Sequence, residues 1–147
     1  MSRDDHLPTD WYARSLADPA LAGELLDAIV TPADRSRGGV SLLLCRGDGR
    51  LAQPVLVEGA HDEGAQRETI SAIALNCVSM PGVGGLVVAM VRPWGVSITD
   101  ADRRVHQHAI DVCRRAPLDL HGTFVVTNGG IVALPVAPEL VGRWDVA

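Results

Sequence analysis

The sequence contains no lysine: its thirteen bases are all arginine, set against eighteen acids, for a net charge of −5 over 147 residues. No stretch gathers those arginines into a dense basic stripe, so the electrostatic footprint of a nucleic-acid-binding domain is missing. Long apolar runs are missing too. The longest, such as residues 86–91, falls well short of the ~20 residues a membrane-spanning helix requires. Residues 1–6 lack the apolar stretch of a secretory leader, so a cytoplasmic location is expected, with no membrane partner. No Cys-x-x-Cys pair occurs. Cys45, Cys77 and Cys113 are odd in number, far apart and each embedded in apolar sequence. They are expected to be reduced core thiols, without a zinc cluster. There is no Gly-x-Ser-x-Gly elbow, and the glycine-rich residues 81–85 lack the Gly-Lys-Ser/Thr of a phosphate loop.

What is present is enough apolar material for one domain. The chain is 47% hydrophobic and 21% charged, which excludes disorder and supports a real core. There is no internal repeat and no low-complexity tract. The pattern of breakers and apolar periods then gives an element order. Thr9 or Asp10 is placed to cap a helix over residues 11–17, and Asp18-Pro19 opens a second with proline at its first position. Residues 31–39 read as a breaker-rich linker. Residues 40–45 and 51–57 form a hairpin around Gly47-Asp48-Gly49. A helix is predicted over residues 63–79, where Ile70, Ile73, Ala74, Cys77 and Val78 recur at three- and four-residue steps.

Residues 86–91 are continuously apolar, as in a strand covered on both faces. A loop follows, then a helix from Asp100 to Ala116, with His108 at the core edge and His106 exposed. Residues 122–126 and 131–136 pair across Asn128-Gly129-Gly130. In the tail, residues 137–147, Trp144 is expected to act as an anchor. The order α–ββ–α–β–α–ββ predicts a mixed sheet with helices on its faces.

Four features carry a resemblance: the apolar strand ending Met90-Val91-Arg92, then Pro93-x-Gly95, then Thr99-x-x-Asp102 opening a helix, and the hairpins on either side. Over roughly residues 38–136 this resembles the JAB/MPN metalloprotease-like fold, especially its RadC-type branch. The resemblance implies a three-layer, cytidine-deaminase-like α/β core, with residues 1–37 as an N-terminal helical extension and 137–147 as a tail. In that family the strand ends in His-x-His-Pro, and these histidines bind zinc together with the aspartate of Ser/Thr-x-x-Asp. Here the two histidine positions hold Met90 and Arg92, and only Asp102 remains.

A thioether is a weak, soft ligand, and a guanidinium cannot lose its proton to bind a cation. Residues 40–45 hold no acid for the family's general base, and Glu58 is a weak substitute. The expectation is that Arg92 fills the vacated space and pairs with Asp102, and that neither metal nor cofactor is bound. The expected function is a non-catalytic interaction or regulatory module. Its candidate binding surface is Arg92, Trp94, Thr99 and Asp102, for a protein partner or a second copy of the chain.

Two other functions stay open. A divergent metal-dependent hydrolase would draw on Asp102 and His121. A RadC-like DNA-processing accessory protein would use the arginine face of Arg103, Arg104, Arg114 and Arg115. His106 and His108 lie two apart on one helix and point about 200° from each other, so they cannot share a metal.

Overall fold

The structure, a computed structural model, describes residues 7–135. The opening residues 1–6, the tail with Trp144 and the end of the last expected strand at Val136 lie outside the described residues. The elements run α1 (Pro19–Ile29), α2 (Pro32–Arg37), β1 (Gly39–Cys45), β2 (Leu51–Glu58), α3 (Glu63–Val78), β3 (Gly85–Val91), α4 (Asp100–Arg115), β4 (Asp119–Thr127) and β5 (Gly130–Ala133). A five-stranded mixed sheet has the order β2-β1-β3-β4-β5. Only β3 and β4 run parallel, joined through α4, and the other neighbours are antiparallel.

Strict alternation along the central strands divides the interior in two. Val40, Leu42, Leu44, Leu86, Val88 and Met90 face α3 and α4, where they meet Ile70, Ala74, Val105 and Ala109. Leu43, Cys45, Val87, Ala89 and Val91 face the other way and pack with Leu21, Leu25 and Leu26 of α1. The chain is thus an α/β fold with helices on both sides of the sheet, and residues 1–37 contribute α1 to one layer. Among the described residues no helix is long and apolar enough to cross a membrane.

Four segments differ from the sequence reading. The last expected strand, 131–136, is β5 and ends at Ala133, with residues 134–135 outside it. The expected helix over 11–17 is only a 3-10 turn, Trp11–Ala13, because Asp10 makes no side-chain cap. The expected linker contains α2, which Thr31 and Asp34 close as a reciprocal capping box with Pro32 in the first turn. Strand β4 begins at Asp119, three residues before the expected start at Gly122, because a bulge in its pairing with β3 at His121 interrupts the alternation.

Candidate functional site

The site lies at the carboxyl end of β3. Met90 is wholly buried on the side of α3 and α4. Two residues on, Arg92 leaves the strand on the same side and meets the start of α4. Its guanidinium forms a fork with Asp102: Nη1 donates to Oδ1 at 2.7 Å and Nη2 to Oδ2 at 2.9 Å. The remaining donor directions face the loop. Nε and Nη2 both donate to the Gly95 carbonyl, at 2.9 and 2.7 Å, and Nη2 also reaches the Ser97 carbonyl at 3.1 Å. Arg92 therefore does not point into solvent. It is the centre of a knot made from the loop's own backbone.

Asp102 is held from a second side. Its Oδ2 accepts from the Thr99 N–H at 2.9 Å, and its own N–H donates to Thr99 Oγ1 at 3.0 Å, a complete capping box. The Asp102 side chain is 4% exposed and that of Arg92 26%. Burial alone would raise the Asp102 pKa, but the bonds from Arg92 and Thr99 outweigh it and hold the carboxyl below its ordinary value. Gly95 takes a left-handed φ of +94°, turning the loop so that its carbonyl faces the guanidinium. Further bonds run from Arg92 N to the Val126 carbonyl and from Asn128 N to that of Pro93. On this tethered loop Trp94 stands 69% exposed, beside the partly exposed Val96.

These residues do not fit a hydrolytic zinc. Such an ion needs about three ligands and an open position for water. Met90 is a buried thioether, Arg92 a fixed cation, and both Asp102 oxygens are already engaged. Glu58 ends β2 and accepts from Arg37 Nε at 3.0 Å. His121 sits where β3 begins, its ring over Gly85, whereas Asp102 belongs to the end where β3 stops. About 20 Å of strand separates the two ends, so His121 and Asp102 cannot share an ion. Among the described residues, no three of His, Cys, Asp and Glu gather in a group able to hold a metal.

His106 and His108 hold α4 in place. His106, expected to be exposed, instead lies 2.7 Å through Nδ1 from Thr123 Oγ1 of β4. The reason is that α4 packs on the sheet as well as on α3, so its sheet-facing arc takes in Asp102, His106, Ala109 and Cys113 together. His108 faces α3: its Nε2 is 2.7 Å from Ser71 Oγ and 3.1 Å from the Arg67 carbonyl. The same ring nitrogen is thus shared between a side-chain hydroxyl and a backbone carbonyl of α3, which ties α4 to that helix. Burial, then the nearby Arg67, lowers the His108 pKa.

On the arginine face, Arg103 is paired with Asp100 at 2.8 Å and Arg104 with Glu63 at 2.9 Å. The sequence matches no protein-family model and no curated protein.

The sequence reading missed a second arginine centre. Arg35, buried on α2, donates from Nε to the Val30 carbonyl, from Nη1 to that of Thr127 and from Nη2 to Asp27 O and Oδ1, all at 3.0–3.1 Å. It closes the carboxyl end of α1 onto the end of β4. The capping box of α2, Thr31-x-x-Asp34, was the available signal. It has the same form as Thr99-x-x-Asp102.

Proposed function

We propose that this chain is a non-catalytic interaction or regulatory module with a JAB/MPN-like core, in which the Arg92 guanidinium takes the place of a hydrolytic zinc ion. The observation that carries the reading is the fork between Arg92 and Asp102. Two of the three positions at which the resemblance puts metal ligands are in direct contact, and one of them supplies the positive charge itself. The mixed sheet with helices on both faces fits the same reading.

A guanidinium satisfies the carboxylate but cannot polarise a water toward hydroxide as a metal does. Its other effect is mechanical. By binding the Gly95 and Ser97 carbonyls it fixes the loop over residues 92–99, so Trp94 is presented to a protein partner with little ordering cost on association. Tryptophan and arginine are the residue types that dominate binding hot spots.

Elemental analysis of protein purified without a histidine tag tests the first half. No stoichiometric transition metal is expected, and one equivalent of zinc per chain overturns the reading. Pull-down with wild type and Trp94→Ala tests the second. A partner retained by wild type and lost with the variant supports the surface, and equal retention by both removes it.

A further inference from the structure

We infer that the groove between the carboxyl end of α1 and strands β1 and β2 binds a small uncharged molecule, with an apolar body the size of one aromatic ring and one hydroxyl or carbonyl group that meets Ser41. The site lies on the α1 side of the sheet, away from Arg92 and Asp102, and is independent of the function proposed above. Its starting point is Ser41 itself. By alternation along β1 it shares the α1 side with Leu43 and Cys45. The residue is 2% exposed, yet its Oγ makes no hydrogen bond to any described residue. Its neighbours across the sheet are Leu56 and Ala89, so packing alone would accept an alanine here. Buried hydroxyls ordinarily have a partner, and one without asks for an explanation.

The hydroxyl lines a groove. Helix α1 packs over β4 and β5, which leaves the β1 and β2 half of that face roofed only at the junction of α1 and α2. There Ile29 and Val30 on one side, and Pro54 and Leu56 on the other, wall a space of about 190 Å³ with Ser41 and Asp34 also in its lining. An apolar cavity of about 150 Å³ holds benzene, whereas sites for drug-sized ligands start at about 300 Å³. The groove therefore has room for one ring and a substituent, and not for an extended chain.

Its polar groups define the ligand's charge. The Asp34 carboxylate is already engaged at both oxygens: Oδ2 accepts from the Thr31 N–H at 3.0 Å and Oδ1 from Arg37 Nη2 at 3.2 Å. It has no free oxygen to offer a cation, and its charge repels an anion. Ser41 Oγ can both donate and accept. Apolar walls with one convergent hydroxyl are the ordinary make-up of a small-molecule site, and here they select a neutral compound of the phenol or simple alcohol class.

Phenol is the probe, followed by amide chemical shifts of the isotope-labelled full chain. Saturable binding in the millimolar range or tighter is expected for so small a ligand, with the largest shifts at Val30, Ser41 and Leu56. Ser41→Ala removes only the hydroxyl and should leave the circular-dichroism melt no lower than that of wild type. It should weaken phenol by about three- to tenfold and leave toluene, the same shape without a hydroxyl, unchanged. Benzoate, the same shape with a charge, should give no shifts in the groove at neutral pH. Absence of saturable phenol binding overturns the inference, as do shifts centred elsewhere in the chain. Phenol held equally well by Ser41→Ala, or phenol and toluene weakened alike, removes Ser41 as the recognising group and overturns it too. Benzoate bound as tightly as phenol overturns the uncharged ligand class.

Discussion

Replacing Arg92 by methionine keeps most of the side chain's apolar bulk but removes every donor. Asp102 is then left almost fully buried with only the Thr99 N–H, while the Gly95 and Ser97 carbonyls lose their shared partner. Removing one member of a fully buried ion pair costs about 3–5 kcal/mol, and a single bond to a charged group contributes about 1.5–3 kcal/mol. Because a quarter of the Arg92 side chain is in contact with solvent, the cost falls short of the fully buried case, at about 2–3 kcal/mol. For a domain of this size that lowers the melting temperature by roughly 5–10 °C. Urea unfolding is the direct assay: the midpoint should fall with the slope unchanged.

Asp102→Asn completes a double-mutant cycle, with an expected coupling of about 1–2 kcal/mol between the two positions. A loss below about 0.5 kcal/mol for Arg92→Met, together with additivity in the cycle, would refute the claim that this pair organises the loop.

The pair also fixes a pH dependence. The Asp102 carboxyl lies below its ordinary value in the folded chain. Its contribution is therefore fully present above the unfolded carboxylate pKa, about 3.9, and is lost as pH falls through the lower folded value. The stability gap between wild type and Arg92→Met should be widest near neutral pH and narrow toward acid, as the variant's buried, unpaired carboxyl gains stability by protonation and wild type then loses its ion pair. A gap equally wide at acid and neutral pH would contradict the assignment.

Three further outcomes follow from packing. Arg35→Lys keeps the charge, but a single ammonium cannot reach the Val30, Asp27 and Thr127 carbonyls together, so urea unfolding should show a loss of about 2 kcal/mol. Gly39→Ala drives a Cβ into the Val57 carbonyl oxygen, at a φ of +150°. It should cost more than about 3 kcal/mol, whereas Gly47→Ala, with open space around it, should change stability by less than about 0.5 kcal/mol. Burial pushes the Cys45 thiol up to about 12 and that of Cys113 to about 11, and raises Cys77 as well. Titration with a disulfide reagent at mildly alkaline pH should therefore find no reactive thiol in the folded protein and three after denaturation.

The order of strands and long helices was legible because each rests on a local signal: Asp-Gly and Asn-Gly turns, the Thr99 cap, and a continuous apolar run at β3. The features that escaped are of another kind. Helix α2 was hidden because its six residues carry no apolar period. It is fixed by Thr31, Asp34 and the long-range reach of Arg35, a contact spanning 92 positions to Thr127. His106 escaped because helical spacing gives a direction, but only the tertiary arrangement says that β4 lies in that direction. At the site, the pairing of Arg92 with Asp102 could be argued from charge alone. The two carbonyls that complete the knot could not, since every residue has one and only the turn at Gly95 selects which of them face the guanidinium.

That last distinction bears on what the site can do. Both arginine centres lie at the same end of the sheet: Arg35 binds the Thr127 carbonyl, and the Arg92 backbone binds that of Val126 one residue before it. Each closes a set of backbone acceptors that would otherwise need water at the ends of β3, β4 and α1. For Asp102 to serve a metal-bound water, it would have to release two charge-assisted bonds, and the loop would lose the donors that give it one shape. The side chain that occupies both Asp102 oxygens is thus the one that orders the loop. On the function proposed above, substitutions at Arg92 should weaken partner binding and stability together, whereas substitutions at Trp94 should weaken binding alone.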